Sequence, residues 1–327
     1  MLDRSNQIHA REALEAIADG RTFTPIRYLP GEPGTPSRVV WADMARSRLE
    51  RPFFDEEFLP GSGPAFPWFA APATSLRGGL RDGLFARPLG GLIFHVARCG
   101  STLARRLLGA VPDRVVFSEP GVLNTMVLAD DYRPLMDLFS CLEHTANERG
   151  GRAVVKCTSW NLFHADRVLE GAGSPPAIFI HRDPGEVLAS LQGADWFSRI
   201  PEADRPSQSV SDPDEGNGLY LEALMRSGLR LAEAGRVRCV EYPDLKTRLL
   251  DGDLPSFLGY EVDAETRTRM EAVTQDHSKN PGEVYTADRA RKAQIVAETP
   301  SIRRAADRLR PLHEALRGWS ATWADGS

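Results

Sequence analysis

The chain is poor in cysteine: four residues in 327, Cys99, Cys141, Cys157 and Cys239, far apart and with no C-x-x-C or zinc spacing. That excludes a disulfide framework, and the four read as reduced thiols of a cytoplasmic protein. No stretch reaches the roughly 18 apolar residues of a membrane-spanning helix. The first twenty residues mix acidic and basic groups without an apolar core, so they do not read as a secretory leader. An excess of positive charge is missing too: 40 Lys and Arg stand against 45 Asp and Glu, a formal charge of −5. A broad electrostatic grip on nucleic acid is not expected, and any anionic ligand has to be held by a local basic cluster. No HxH, HExxH or carboxylate cluster points to a metal. Internal repeats are absent.

What is present is a globular composition, 42% apolar and 26% charged with both signs mixed. Residues 1–87 are crowded with proline and glycine (LPGEPGTP, LPGSGPAFPW), with one strand candidate, Arg38 to Trp41, and an aromatic cluster at Phe53, Phe54 and Phe58. They read as an N-terminal extension whose apolar residues pack on a main domain, 88–327. From Gly90 the pattern turns regular. Strand candidates at Leu92–Val96, Val115–Phe117, Ala153–Val155, Ala177–Ile180 and Val237–Val240 alternate with helix candidates at Thr102–Ala110, Pro134–Glu148, Pro184–Gln192 and Leu219–Ala234. Such alternation implies an α/β domain, a parallel sheet with helices on both faces. Asp195 to Asn217, rich in Pro, Ser and Asp, reads as a long mobile loop. The tail after Pro300 reads as helical, broken or kinked at Pro311.

Ligands of such sheets bind beyond the carboxyl ends of the strands. The residues there are Arg98, Glu119, Lys156, Arg182 and Tyr242, all charged or hydrogen-bonding. The first end, H-V-A-R98-C-G-S-T-L, takes a strand through a tight turn into a helix, which aims unpaired N–H groups at an anion. Gly100 permits close backbone approach, the Ser101 and Thr102 hydroxyls add donors, and Arg98 adds a charged fork. G-x-x-x-x-G-K-[ST] is absent, which weighs against an ATP-dependent phosphotransferase. At the fourth end, H-R182-D-P-G-E-V-L-A-S190, Asp183, Pro184 and Glu186 form a capping box that explains the helix start. It leaves Arg182 and Ser190 unexplained, and a second phosphate would occupy both.

These segments resemble the sulfotransferases that use 3′-phosphoadenosine-5′-phosphosulfate (PAPS), whose fold is P-loop NTPase-like. Arg98-Cys99-Gly100-Ser101-Thr102-Leu103 is similar to the family's 5′-phosphosulfate loop, most of all to the version in the tyrosylprotein branch, with Cys99 where serine or glycine is usual. Arg182 and Ser190 in R-D-P-x-x-V-L-x-S match its 3′-phosphate motif. Glu119, 21 residues after Arg98, stands where that branch places a catalytic glutamate. Val240-Glu-Tyr242-Pro-Asp244-Leu245 is similar to a late strand of the family, and Ser278 with Lys292 fits by order the residues that close over the 3′-phosphate. The likeness spans roughly residues 90 to 295.

The resemblance implies sulfuryl transfer from PAPS to a hydroxyl of a small-molecule or peptide acceptor, without a metal. Arg98 and Lys156 would neutralise the leaving phosphate and Glu119 would act as the general base. Two other readings stay open at this level: an ATP-dependent phosphotransferase of the same fold, and a non-catalytic nucleotide-binding module. Glu119 could also be a rim carboxylate paired with Arg98 or Lys156. His95 and His181 lie in apolar strands and read as core histidines. Ser159 and Trp160 could line an acceptor pocket. Neither the acceptor nor the oligomeric state is legible.

Overall fold

A computed structural model describes every residue except 1, 3, 19–20, 46, 59–65, 79–88, 130–132, 201, 203–204, 206–209, 275–288 and 325–327. The chain divides into two compact units, one of residues 1–92, 112–158 and 164–175, the other of 93–111, 159–163 and 176–327.

In the first unit, β1 (Phe23–Leu29), β2 (Arg38–Asp43) and β3 (Trp68–Pro72) form an antiparallel sheet of order β1-β2-β3. Only β2 was evident in the sequence. β1 contains Pro25, which cannot donate to a ladder. It is accommodated because β1 is an edge strand whose register shifts between Pro25 and Arg27. The helices Gly121–Leu128 and Arg133–Asn147 pack on β1, and the second also packs on the strands of the larger sheet in this unit.

That larger sheet consists of β4 (Gly91–His95), β5 (Arg114–Ser118), β6 (Arg152–Lys156), β7 (Ala177–His181) and β8 (Arg238–Glu241), each within a residue or two of its expected bounds. β4 and β7 are buried at all five positions, the condition under which a continuous apolar run is stable as a strand. The order is β5-β6-β4-β7-β8, and the strands are parallel and flanked by helices, so the fold is α/β. The chain leaves β4 toward one edge and β7 toward the other. The crevice between these two adjacent strands is therefore the switch point at which sheets of this kind bind ligands.

In the second unit the helices Pro213–Glu233 and Pro300–Ala324 pack on each other and on β8. Two expectations change here. The loop after Asp195 ends earlier than Asn217, because Asp212 caps a helix that opens at Pro213; its Oδ1 accepts the Asp214 N–H at 2.9 Å. The last helix does not break at Pro311. An interior proline costs about 3 kcal/mol, but Ile302, Ala305, Leu309 and Leu316 form a buried stripe along this helix that spans the proline and offsets the cost. Among the described residues, no helix is long and apolar enough to cross a membrane.

Candidate functional site

Beyond β4 the chain stays paired for one more residue, the Val96 N–H donating to Ile180 O at 3.1 Å, and then turns sharply. Arg98, exposed, takes a positive φ of 59°, and Gly100 takes φ 86°, ψ 11° as the N-cap of the helix Ser101–Gly109. The left-handed region costs a non-glycine residue about 1–2 kcal/mol, so Gly100 suits its place and Arg98 is strained. Gly100 has a second reason to be glycine: a Cβ there would lie 2.3 Å from Cδ2 and Cε2 of Tyr242. Cys99 is fully buried and Ser101 nearly so, while Thr102 and Leu103 are half-buried. The first N–H groups of this nine-residue helix have no partner within the helix.

Tyr242, directly after β8, links this turn to the end of β7. The Arg182 guanidinium lies 4.2 Å from the centre of its ring, and Arg182 is only 8% exposed. One ring thus touches both the Gly100 turn and the arginine. Arg182 also forms a two-point ion pair with Glu186, through Nε at 2.8 Å and through Nη2. This corrects the expected capping box. Asp183 does cap, its Oδ1 accepting the Glu186 N–H at 2.9 Å, but the Glu186 carboxylate turns to Arg182 and to Arg289, 3.5 Å away. Ser190 ends the same helix with its hydroxyl donating to Glu186 O at 2.8 Å. Lys292 is buried and lines a cleft of about 390 Å³ together with Asp183, Glu186, Arg289 and Arg310. Ser278 lies outside the described residues.

In the first unit, Glu119 and Lys156 come together. The Glu119 N–H donates to Lys156 O at 2.7 Å, extending the β5–β6 pairing past the strands, and Glu119 itself adopts φ 51°. Lys156 Nζ forms an ion pair with Glu119 Oε1 and donates to Ser118 Oγ at 3.3 Å. The lysine side chain is 1% exposed and that of the glutamate 18%. Next to them, burial first and the Glu119 charge second push the Cys157 thiol far up, which keeps it protonated and inert.

His95 and His181 are both buried, with Nδ1 of the first 2.9 Å from Val96 O and Nε2 of the second 2.8 Å from Ser320 Oγ. Burial, and then the neighbouring His313, lower His181 to about 3, so it stays neutral. Ser159 is buried against Tyr220, with 2.6 Å between the hydroxyls. The sequence reading missed Glu186 as the partner of Arg182, because its place in a capping pattern already accounted for it. It also missed Phe53, which it grouped with Phe54 and Phe58. Those two meet edge to face at 5.2 Å, whereas Phe53 lies with its ring centre 5.6 Å from Lys156 Nζ.

No protein-family model matches the chain, and no curated protein matches it. Solved structures do. The sulfotransferase domain from the curacin biosynthetic pathway aligns with a TM-score of 0.43 at 13% identity, over 68% of this chain and 98% of that one. The sulfotransferase domain of the Synechococcus PCC 7002 olefin synthase aligns at 0.39 and 18% identity, over 68% and 94%. The sulfotransferase STF9 from Mycobacterium avium aligns at 0.37 and 15% identity, over 69% and 78%. Each is a distant likeness of this chain to a sulfotransferase.

Proposed function

We propose that the protein transfers a sulfuryl group from PAPS to a hydroxyl of an acceptor by in-line displacement. One observation carries the reading: at the switch point between β4 and β7, the Tyr242 ring touches both the left-handed Gly100 turn and the buried Arg182. A helix N-terminus and a guanidinium held in one assembly suit a ligand with two separate anionic groups.

The residues present fit such a donor. The N–H groups of Ser101 and Thr102 and the two hydroxyls would take the 5′ end, with Arg98 adding charge. Arg182 would take the 3′-phosphate after yielding part of its contact with Glu186, and Ser190 after turning its hydroxyl from Glu186 O. Lys292, in the cleft that Glu186 also lines, would support the same group. PAPS, when bound, supplies the activated sulfuryl group. The chain's own work is to position and neutralise: Arg98 and Lys156 offset charge growing on the departing phosphate, and Glu119 takes the proton of the attacking hydroxyl.

Calorimetric titration tests the donor half of the reading. Removing a charge-assisted partner costs about 1.5–3 kcal/mol, so Arg182→Ala weakens 3′,5′-adenosine bisphosphate at least about tenfold and leaves 5′-AMP within about twofold. Equal losses for both ligands would make Arg182 a structural residue. No binding of the bisphosphate by the wild type would end the proposal.

A further inference from the structure

The resemblance to sulfotransferases leaves residues 1–87 without a role, yet one stretch of them lies directly on the Glu119–Lys156 pair. The Ser118 hydroxyl, which accepts from Lys156 Nζ at 3.3 Å, donates to the Pro52 carbonyl at 2.7 Å. Asp55 Oδ1 accepts the Gly121 N–H at 3.0 Å, and a Cβ on Gly121 would come within 2.3 Å of Asp55 Oδ2. Phe54, 2% exposed, meets Phe117 of β5 edge to face at 5.7 Å. The stretch is thus fixed at Phe117, Ser118 and Gly121, on both sides of Glu119.

Phe53 sits among these anchors but does not behave as a packing residue. It is 40% exposed, while the Lys156 ammonium beneath its ring belongs to a residue 1% exposed. An aromatic ring held half in water over a buried cation keeps water from that cation. We infer that Phe53 is a positioning and shielding residue, which excludes water from the Lys156–Glu119 pair so that the sulfuryl group passes to an acceptor hydroxyl and not to water. The inference rests on the sulfuryl-transfer reading. In the reaction it suppresses, a water oxygen bonds to sulfur and the bond from sulfur to the 5′-phosphate oxygen breaks. A water proton passes through Glu119 to bulk, and the products are sulfate and 3′,5′-adenosine bisphosphate. Excluding water also strengthens the local electrostatics that transfer uses.

The test compares wild type, Phe53→Ala and Phe53→Leu, each checked for folding by circular dichroism. The first readout is release of sulfate from PAPS without any acceptor. Phe53→Ala should raise it about fivefold or more, and Phe53→Leu, which keeps the cover, less than about twofold. The second is reaction of Lys156 with an acylating reagent, located by mass spectrometry; it should rise in the alanine variant and not in the leucine one. If neither sulfate release nor Lys156 labelling rises in Phe53→Ala, the shielding role is overturned. If labelling rises and the wild type does not bind 3′,5′-adenosine bisphosphate, the cover is real and the donor reading has failed. That outcome also removes the role given to Phe53 in transfer. If both variants lose activity equally with labelling unchanged, Phe53 is structural.

Discussion

The ion pair between Glu119 and Lys156 is unequally buried, and the inequality fixes how its two halves respond to mutation. Lys156 is 1% exposed, so Glu119→Gln leaves an ammonium in the interior without a counter-charge. Removing one partner of a buried pair costs about 3–5 kcal/mol. The glutamine oxygen can still accept a hydrogen bond, which places the loss near the lower end, about 3 kcal/mol. Lys156→Met leaves the opposite remnant, a carboxylate whose side chain is 18% exposed and can turn to water. Its loss is that of one hydrogen bond to a charged group, about 1.5–3 kcal/mol, offset in part by methionine filling the space under Phe53. At about 2.1 cal/mol/K per residue the unfolding entropy of the chain is about 0.7 kcal/mol/K, so Glu119→Gln lowers Tm by about 4 °C and Lys156→Met by about half that. In the double variant no unpaired charge remains, and it melts above Glu119→Gln alone. The assay is thermal unfolding at pH 7.5 followed by circular dichroism, and the same proteins then report on chemistry. A general base lost in Glu119→Gln reduces turnover about 10²-fold or more at saturating donor, with donor affinity within about threefold. A Lys156→Met variant less stable than Glu119→Gln, or a double variant no better than it, would refute the burial argument. Glu119→Gln retaining more than about a tenth of wild-type turnover would refute the base.

Gly100→Ala should weaken 3′,5′-adenosine bisphosphate about tenfold or more although glycine contributes no side chain, because the new Cβ displaces Tyr242 from its place on Arg182. Adding Tyr242→Ala relieves the collision and leaves only the backbone cost, so calorimetry should show the two losses to be less than additive. A second expectation concerns acid. His313 beside Glu241 and, against the cost of burial, Arg317 at 3.1 Å hold this carboxylate below its usual 4.5. A depressed folded-state value means the stabilisation is fully present above about pH 4.5 and is lost as pH falls through the folded value. Glu241→Gln should therefore flatten the fall of Tm on acidification below that pH, and a slope equal to wild type would show that the group contributes nothing.

How much of this could be read from the chain depends on whether the cause was local. The strands of the parallel sheet were legible because each is an apolar run with its own boundaries, and their ends delivered Arg98, Glu119, Lys156, Arg182 and Tyr242 by position alone. β1 and β3 were not, since Pro25, Pro67 and Pro72 read as breakers until an edge, a bulge or a strand end is known to receive them. The helix Gly121–Leu128 has no polar side-chain cap to announce it, its N-cap being Pro120. The contacts of Phe53 and Glu186 were hidden for different reasons. Phe53 acts across more than a hundred residues of chain, and Glu186 fits a local pattern that its side chain does not follow. The backbone adds what neither pattern nor spacing carried. Among the described residues, four non-glycine residues have positive φ, and two of them are Arg98 and Glu119, each just past a strand of the parallel sheet. A turn needing only its shape would have glycine or asparagine there, at about 1–2 kcal/mol less strain. The sequence instead keeps a guanidinium and a carboxylate at both positions, against its own stability. Strain retained where a smaller residue would relieve it is expected of side chains kept for chemistry, and it falls on the arginine and the glutamate that sulfuryl transfer would use.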